Sequence, residues 1–209
     1  MVESALSLTA LFLSTSALIL HVSSLASKEW VGDTLDSASG KEEIMCALSG
    51  CCIRTRVADA NSGCFSGAAS ANTLFANGEV EDGDIQAAIL FSILAVCIGT
   101  LAWGFSLRCT LSDRTDGYFS AAVSSALQAL LIIIAIGVFA SSDIKDDVEE
   151  YTEEPANFSS AGRFSVEYQW GFWVGIASII AAAFAAVFYA VSGFLARNAG
   201  GAKTTESAV

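Results

Sequence analysis

The sequence predicts an all-α membrane four-helix bundle, and two observations carry that expectation. The 209-residue chain is 54% hydrophobic by residue type and only 15% charged, whereas a soluble domain carries about a quarter charged residues. Its charges are also absent from four long stretches, residues 4–27, 85–107, 117–142 and 168–196. Each exceeds the roughly 20 residues a helix needs to cross about 30 Å of hydrocarbon. One such run could be a buried core helix, but four leave too little polar sequence to wrap them. Residues 1–209 are therefore read as a single four-transmembrane domain in a lipid bilayer.

The first helix is expected at residues 5–26. Ser24-Leu25-Ala26 resembles a leader cleavage site, but a leader wants a basic region before its apolar core. Only Glu3 is charged there, so the helix is expected to be retained. A long loop, 28–84, follows; within it Ile53-Arg54-Thr55-Arg56-Val57 alternates as a half-exposed strand would. The second helix, 85–107, carries Ala95 and Gly99 four residues apart, and the third is expected at 118–141. A medium loop, 143–167, leads to the fourth helix, 169–196, with Gly171 and Gly175 and then a ladder of Ala182, Ala186 and Ala190. Small residues let membrane helices approach closely, so these are read as packing within the bundle, with a partner helix as the alternative. The single proline, Pro155, lies outside all four runs.

Three signals orient the chain with both termini in the cytoplasm. Arg108, Arg114, Arg197 and Lys203 lie in the short loop and the tail, 197–209, as the positive-inside rule expects. Cys46, Cys51, Cys52 and Cys64 cluster in the long loop, which points to disulfides and an oxidising compartment. Asn157-Phe158-Ser159 in the medium loop is an N-glycosylation sequence. On this reading each outer loop is net -6 and the cytoplasmic segments cancel, so the whole formal charge of -12 lies outside. No basic patch is present to neutralise phosphates, which argues against nucleic-acid binding.

No chemistry-bearing constellation stands out, and neither catalysis nor a cofactor or metal is expected. His21 and Gln128 are the notable polar side chains inside spans; with no charged partner in any helix, each is read as an interhelical hydrogen bond rather than an ion relay. Membrane thiol oxidoreductases typically use C-x-x-C, which is missing here. Four loop cysteines allow three pairings; the preferred one joins Cys51 or Cys52 to Cys64 and gives Cys46 the other neighbour. Cys109, just after the second span, is a palmitoylation candidate or an idle thiol. Ser207-Ala208-Val209 fits a ligand for a cytoplasmic PDZ scaffold, which takes a terminal aliphatic side chain and carboxylate. Acidic runs at Glu79, Glu81, Asp82 and Asp84, and at Asp146, Asp147, Glu149, Glu150, Glu153 and Glu154, are read as a solvated surface or as a field that concentrates cations. A weak calcium site at Glu79, Glu81, Asp82 and Asp84 has no full loop pattern behind it.

Four spans, a larger first outer loop with Trp30 soon after the first helix, and the later loop cysteines resemble the claudin and peripheral-myelin-protein superfamily. Ile85-Gln86-Ala87-Ala88 is similar to that group's L-Q-A-A-R, and Tyr168-Gln169-Trp170-Gly171-Phe172 to its Y-G-W-S-F. The signature W…G-L-W-x-x-C…C is present in part: aligned on Cys51, Leu48 takes the place of the second Trp. The doubled Cys51-Cys52 with Cys46 also resembles stargazin-type auxiliary subunits. The resemblance implies a small disulfide-clamped extracellular β-sheet formed by the first loop, with Trp30 and Leu48 as its anchors. It also implies a plasma-membrane glycoprotein that acts by contact with itself or related four-helix proteins. That activity would be a cell-adhesion or tight-junction barrier or a cation-favouring paracellular pore; the alternative is an auxiliary subunit of a channel or receptor.

Overall fold

The computed structural model describes residues 2–37, 40–48, 50–54, 63–66, 82–112, 117–142, 144–153, 158 and 164–206. Helix α1 (Val2–Ala26) leads into strands β1 (Val31–Ser37), β2 (Gly40–Ala47), β3 (Gly50–Arg54) and β4 (Gly63–Ser66). Helices α2 (Asp82–Ser112), α3 (Gly117–Ser141) and α4 (Ile144–Glu153), strand β5 (Glu167–Tyr168) and helix α5 (Trp170–Glu206) follow. Four helical stretches are long and apolar enough to cross a membrane, Ala5–Ala26, Asp84–Leu111, Gly117–Glu153 and Trp170–Asn198. The third of these takes in the short helix α4.

The spans thus stand where the charge-free runs place them, with three differences. Helix α5 continues to Glu206, through most of the expected tail. An apolar run marks where hydrocarbon ends, whereas backbone hydrogen bonding continues wherever residues permit a helix, and 197–206 contains no proline. The medium loop is not all loop, since it contains α4. The sheet does not come from the first loop alone, since the medium loop contributes β5.

The chain divides into two compact units. The first comprises Met1–Val22, Ser92–Ile133 and Ile176–Val209. Its core is made of small residues: Ala10, Ala121, Ala122, Ala185 and Ala196 pack with Cys109, Tyr118 and Tyr189. A second cluster joins Ala17, Ala129, Ala181 and Ala182. Leu8, Phe12, Phe119, Leu130, Ile180, Phe184 and Phe194 are instead exposed. This inverts the arrangement of a water-soluble core and suits a lipid surround, where apolar burial drives nothing and close backbone approach decides packing. The expected alanine ladder on α5 is corrected in register: Ala182 is buried, Ala186 half-buried and Ala190 exposed. A four-residue step overshoots the 3.6-residue turn, so the buried stripe runs through Ala182, Ala185, Tyr189 and Ala196 instead.

The second unit comprises Ser23–Phe91 and Ile134–Gly175 and holds a five-stranded antiparallel sheet in the order β4-β3-β2-β1-β5. Val31 lies opposite Cys46, and Cys46 opposite Cys51. Side chains alternate between faces along a strand, and one face here is buried through Val31, Ile44, Cys46, Cys51 and Ile53. Ile53 is buried and Arg54 exposed, as the alternation at Ile53-Arg54 predicts; Thr55, Arg56 and Val57 lie outside the described residues.

Candidate functional site

The sheet is fixed where β1 leaves α1. Only Ser27–Trp30 separate them, and Trp30 is 1% exposed. A buried indole needs a partner for its N–H, and Trp30 Nε1 donates to the Ser24 carbonyl at 2.7 Å. Its ring meets Phe139 edge-on at 4.8 Å and Phe172 at 6.1 Å. Tyr168 stacks on Phe172 at 4.2 Å, and Trp173 Nε1 donates to the Tyr168 carbonyl at 3.1 Å. Leu48, the other expected anchor, is likewise buried at 1%.

Residues 29–33 of the first loop are laced to 165–171 of the medium loop. The Gln169 N–H donates to Trp30 O at 2.8 Å and the Gly171 N–H to Glu29 O at 2.9 Å. Gln169 Nε2 donates to Gly32 O at 2.8 Å. The Asp33 carboxylate accepts from the Ser165 N–H at 2.9 Å and from the Thr34 N–H at 2.6 Å. Gly32 has φ of 148°, and a Cβ there would run into the Ile44 carbonyl, so glycine is required where β1 passes between β2 and β5. Gly171 and Gly175 are consumed in this packing. A Cβ on Gly171 would meet Ser27 Oγ at 2.5 Å, and one on Gly175 would meet Ser24 Oγ at 2.9 Å. Ser24 Oγ donates to the Gly171 carbonyl at 2.7 Å. The small-residue pair therefore serves the chain's own fold.

Two adjacent cysteines serve opposite faces of the sheet. Cys46 and Cys51 form a disulfide with Cα atoms 4.1 Å apart, on the buried face. Cys52 points the other way, is disulfide-bonded, and lies opposite Cys64 in the β3–β4 register. Of the two neighbours left open for Cys46, the fold selects Cys51, because only Cys51 shares its face. Strict alternation along β3 leaves Cys52 no route to Cys46.

Helix α4 organises the second acidic run. Ile144, Val148 and Thr152 are buried along one face, and α4 packs on β1. Beyond its end, Phe158 is buried, edge-on to Tyr151 at 6.0 Å and 4.8 Å from Phe164. Asp146, Glu149, Glu150 and Glu153 are exposed and Asp147 is half-buried. Lys145 Nζ stands 5.8 Å from the centre of the Tyr168 ring. The acidic side chains are displayed by an ordered helix joined to the sheet, which holds like charges on one surface. Among the described residues, no cluster of three His, Cys, Asp or Glu side chains could hold a metal.

No family model matches this chain, and no curated protein is significantly similar to it. Trp30, Leu48, Cys46, Cys51, Cys52 and the described α4 acids all belong to the second unit. Asp84 is half-buried near the start of α2, and Asp82 begins that helix. Glu79, Glu81, Asn157 and the tail Ser207-Ala208-Val209 lie outside the described residues. Cys109 is 2% exposed, and a Cβ on Gly117 would press directly on its sulfur; an acyl-transferring enzyme could not reach that thiol without prising α2 from α3. Cys97 is exposed on α2 and outside any disulfide.

The sequence reading misses Asp33, Gln169 and Ser24, whose roles depend on the pairing of two loops distant in the chain. It also misses α4, although Ile144, Val148 and Thr152 repeat every four residues inside the acidic run. That spacing is the signal for a helix with one buried face.

Proposed function

We propose that this chain is a claudin-like protein of the plasma membrane, with both termini cytoplasmic, that works by contact rather than catalysis. Its two outer loops meet other membrane proteins at cell–cell junctions and form a paracellular barrier or cation-favouring pore. The observation that carries this reading is the joining of both acidic loops, each net -6, into one disulfide-stapled sheet. Two loops acting separately would have no need of Asp33, Gln169 and the β1–β5 pairing. A joined platform presents a net negative surface, and such a surface raises local cation concentration at a narrow passage.

The test is expression in cells that lack junction strands. The expected outcome is enrichment at borders between two expressing cells but not at borders with non-expressing neighbours. In a monolayer, sodium permeability should rise relative to chloride. Uniform surface distribution with a co-purifying channel would overturn the junctional reading in favour of an auxiliary subunit.

A further inference from the structure

The first unit contains a run of buried polar side chains whose hydrogen-bonding capacity its own helices do not meet. His21 Nε2 lies 3.1 Å from the Ser92 carbonyl. That oxygen can only accept, so Nε2 carries the hydrogen and Nδ1 is left as an acceptor, which has no partner among the described residues. Among the described residues Ser92 Oγ has none either, nor do Ser14 Oγ, Ser125 Oγ, or the amide oxygen and nitrogen of Gln128. All five side chains are at most 1% exposed.

These groups are neighbours. Gln128 sits against Gly99, where an added Cβ would come within 2.5 Å of its Nε2. On α2, Ser92, whose carbonyl meets His21, lies seven residues, about two turns, from Gly99; on α1, Ala17 between Ser14 and His21 belongs to the same packed cluster as Ala129. Ser125 precedes Gln128 by about one turn of α3. The seam therefore runs over about three turns, ~15 Å, along α1, α2 and α3. Other hydroxyls on these helices behave differently: Thr9, Thr15, Thr100, Ser106 and Thr110 each donate to the carbonyl four residues earlier in their own helix. Ser14, Ser92 and Ser125 do not, and are turned to the interior instead.

Hydrocarbon offers a polar group no partner, and buried groups left over by the protein are met by water or an ion. The donor set contains no carboxylate or thiolate to hold a cation. It mixes acceptors (Nδ1, amide oxygen) with donors (amide N–H) and hydroxyls that can be either, which is the set that a water molecule with two to four partners satisfies. We propose that this seam is a binding site for ordered water, which bridges α1, α2 and α3 where the side chains do not reach one another. The seam is then a hydrated stripe within an otherwise apolar span, and α1 is held to its neighbours there by exchangeable bonds.

The test is radiolytic hydroxyl labelling of the full chain in lipid nanodiscs, in isotope-labelled water, read by mass spectrometry. Side chains touching bound water are oxidised even where bulk solvent has no access. His21 should be oxidised severalfold faster than Phe139, which is equally buried but in an aromatic cluster. His21 labelling no faster than that of Phe139 would overturn the proposal. A second measurement does not depend on His21 reactivity. In a dry seam, Gln128→Leu removes an orphaned amide and raises the thermal midpoint; in a hydrated one it strips the water of a partner and lowers it. A lowered midpoint supports the site, and a raised one refutes it.

Discussion

Trp30 ties the sheet to the helix it grows from, and its environment sets the cost of losing it. Phe or Trp to Ala in a packed core costs about 3–5 kcal/mol, and Trp30→Ala also removes the indole N–H bond to the Ser24 carbonyl, which keeps only the Ser27 N–H. A fall of that size in unfolding free energy is expected in detergent-based unfolding, and Trp30→Phe should recover part of it. Asp33→Ala is expected to be milder, about 1–3 kcal/mol for two N–H groups that lose their acceptor, reduced by the partial exposure of the site. Its sharper signature is local: amide hydrogen exchange at Ser165 should quicken while that of α3 is unchanged. Unchanged exchange at Ser165 would show that the loops stay joined without the carboxylate. Trp30 was legible because an indole just after a span is conspicuous. Asp33 was one acid among ten in its loop, and only the register of β1 against β5 singles it out.

At the scale of elements, α4 converts an acidic run into a surface. Charge and burial divide its two faces, so two substitutions a residue apart should behave in opposite ways. Val148→Asp places a charge on the buried face and should abolish surface expression, as burial of an unpaired charge does. Paired Glu149→Lys and Glu150→Lys change only the exposed face; expression should persist while the sodium-to-chloride permeability ratio falls. If the double variant leaves the ratio unchanged, α4 does not line the passage. The disulfides divide similarly. Cys46 and Cys51 are only five residues apart, and the loop-closure argument assigns such a short ring about 2 kcal/mol. Cys46→Ser should therefore lower the thermal midpoint without abolishing folding. That a disulfide would staple the first loop was legible in the sequence. Which neighbour takes Cys46 was not, because the choice rests on which face of β3 each occupies.

Across the whole chain, the spans were legible because hydrocarbon demands long charge-free runs, and nothing else in the sequence produces four of them. The packing faces were not. The alanine ladder drawn at four-residue spacing drifts around α5, and the buried stripe follows the helical period instead. Ala185→Leu, on that stripe, should therefore destabilise by about 1–3 kcal/mol through overpacking. Ala190→Leu, on the exposed face, should be nearly neutral. Equal effects in denaturant titrations would mean that the stripe is misassigned.

The joining of the loops also decides how the molecule bears load. Four residues separate α1 from β1, and a single residue, Gln169, separates β5 from α5. A pull on the sheet therefore meets no slack. It passes at once into two membrane helices, through Trp30 on one side and through Gln169 and Gly171 on the other. A contact made at the sheet would be felt as tension along α1 and α5, which makes these two helices the mechanical roots of whatever the sheet holds.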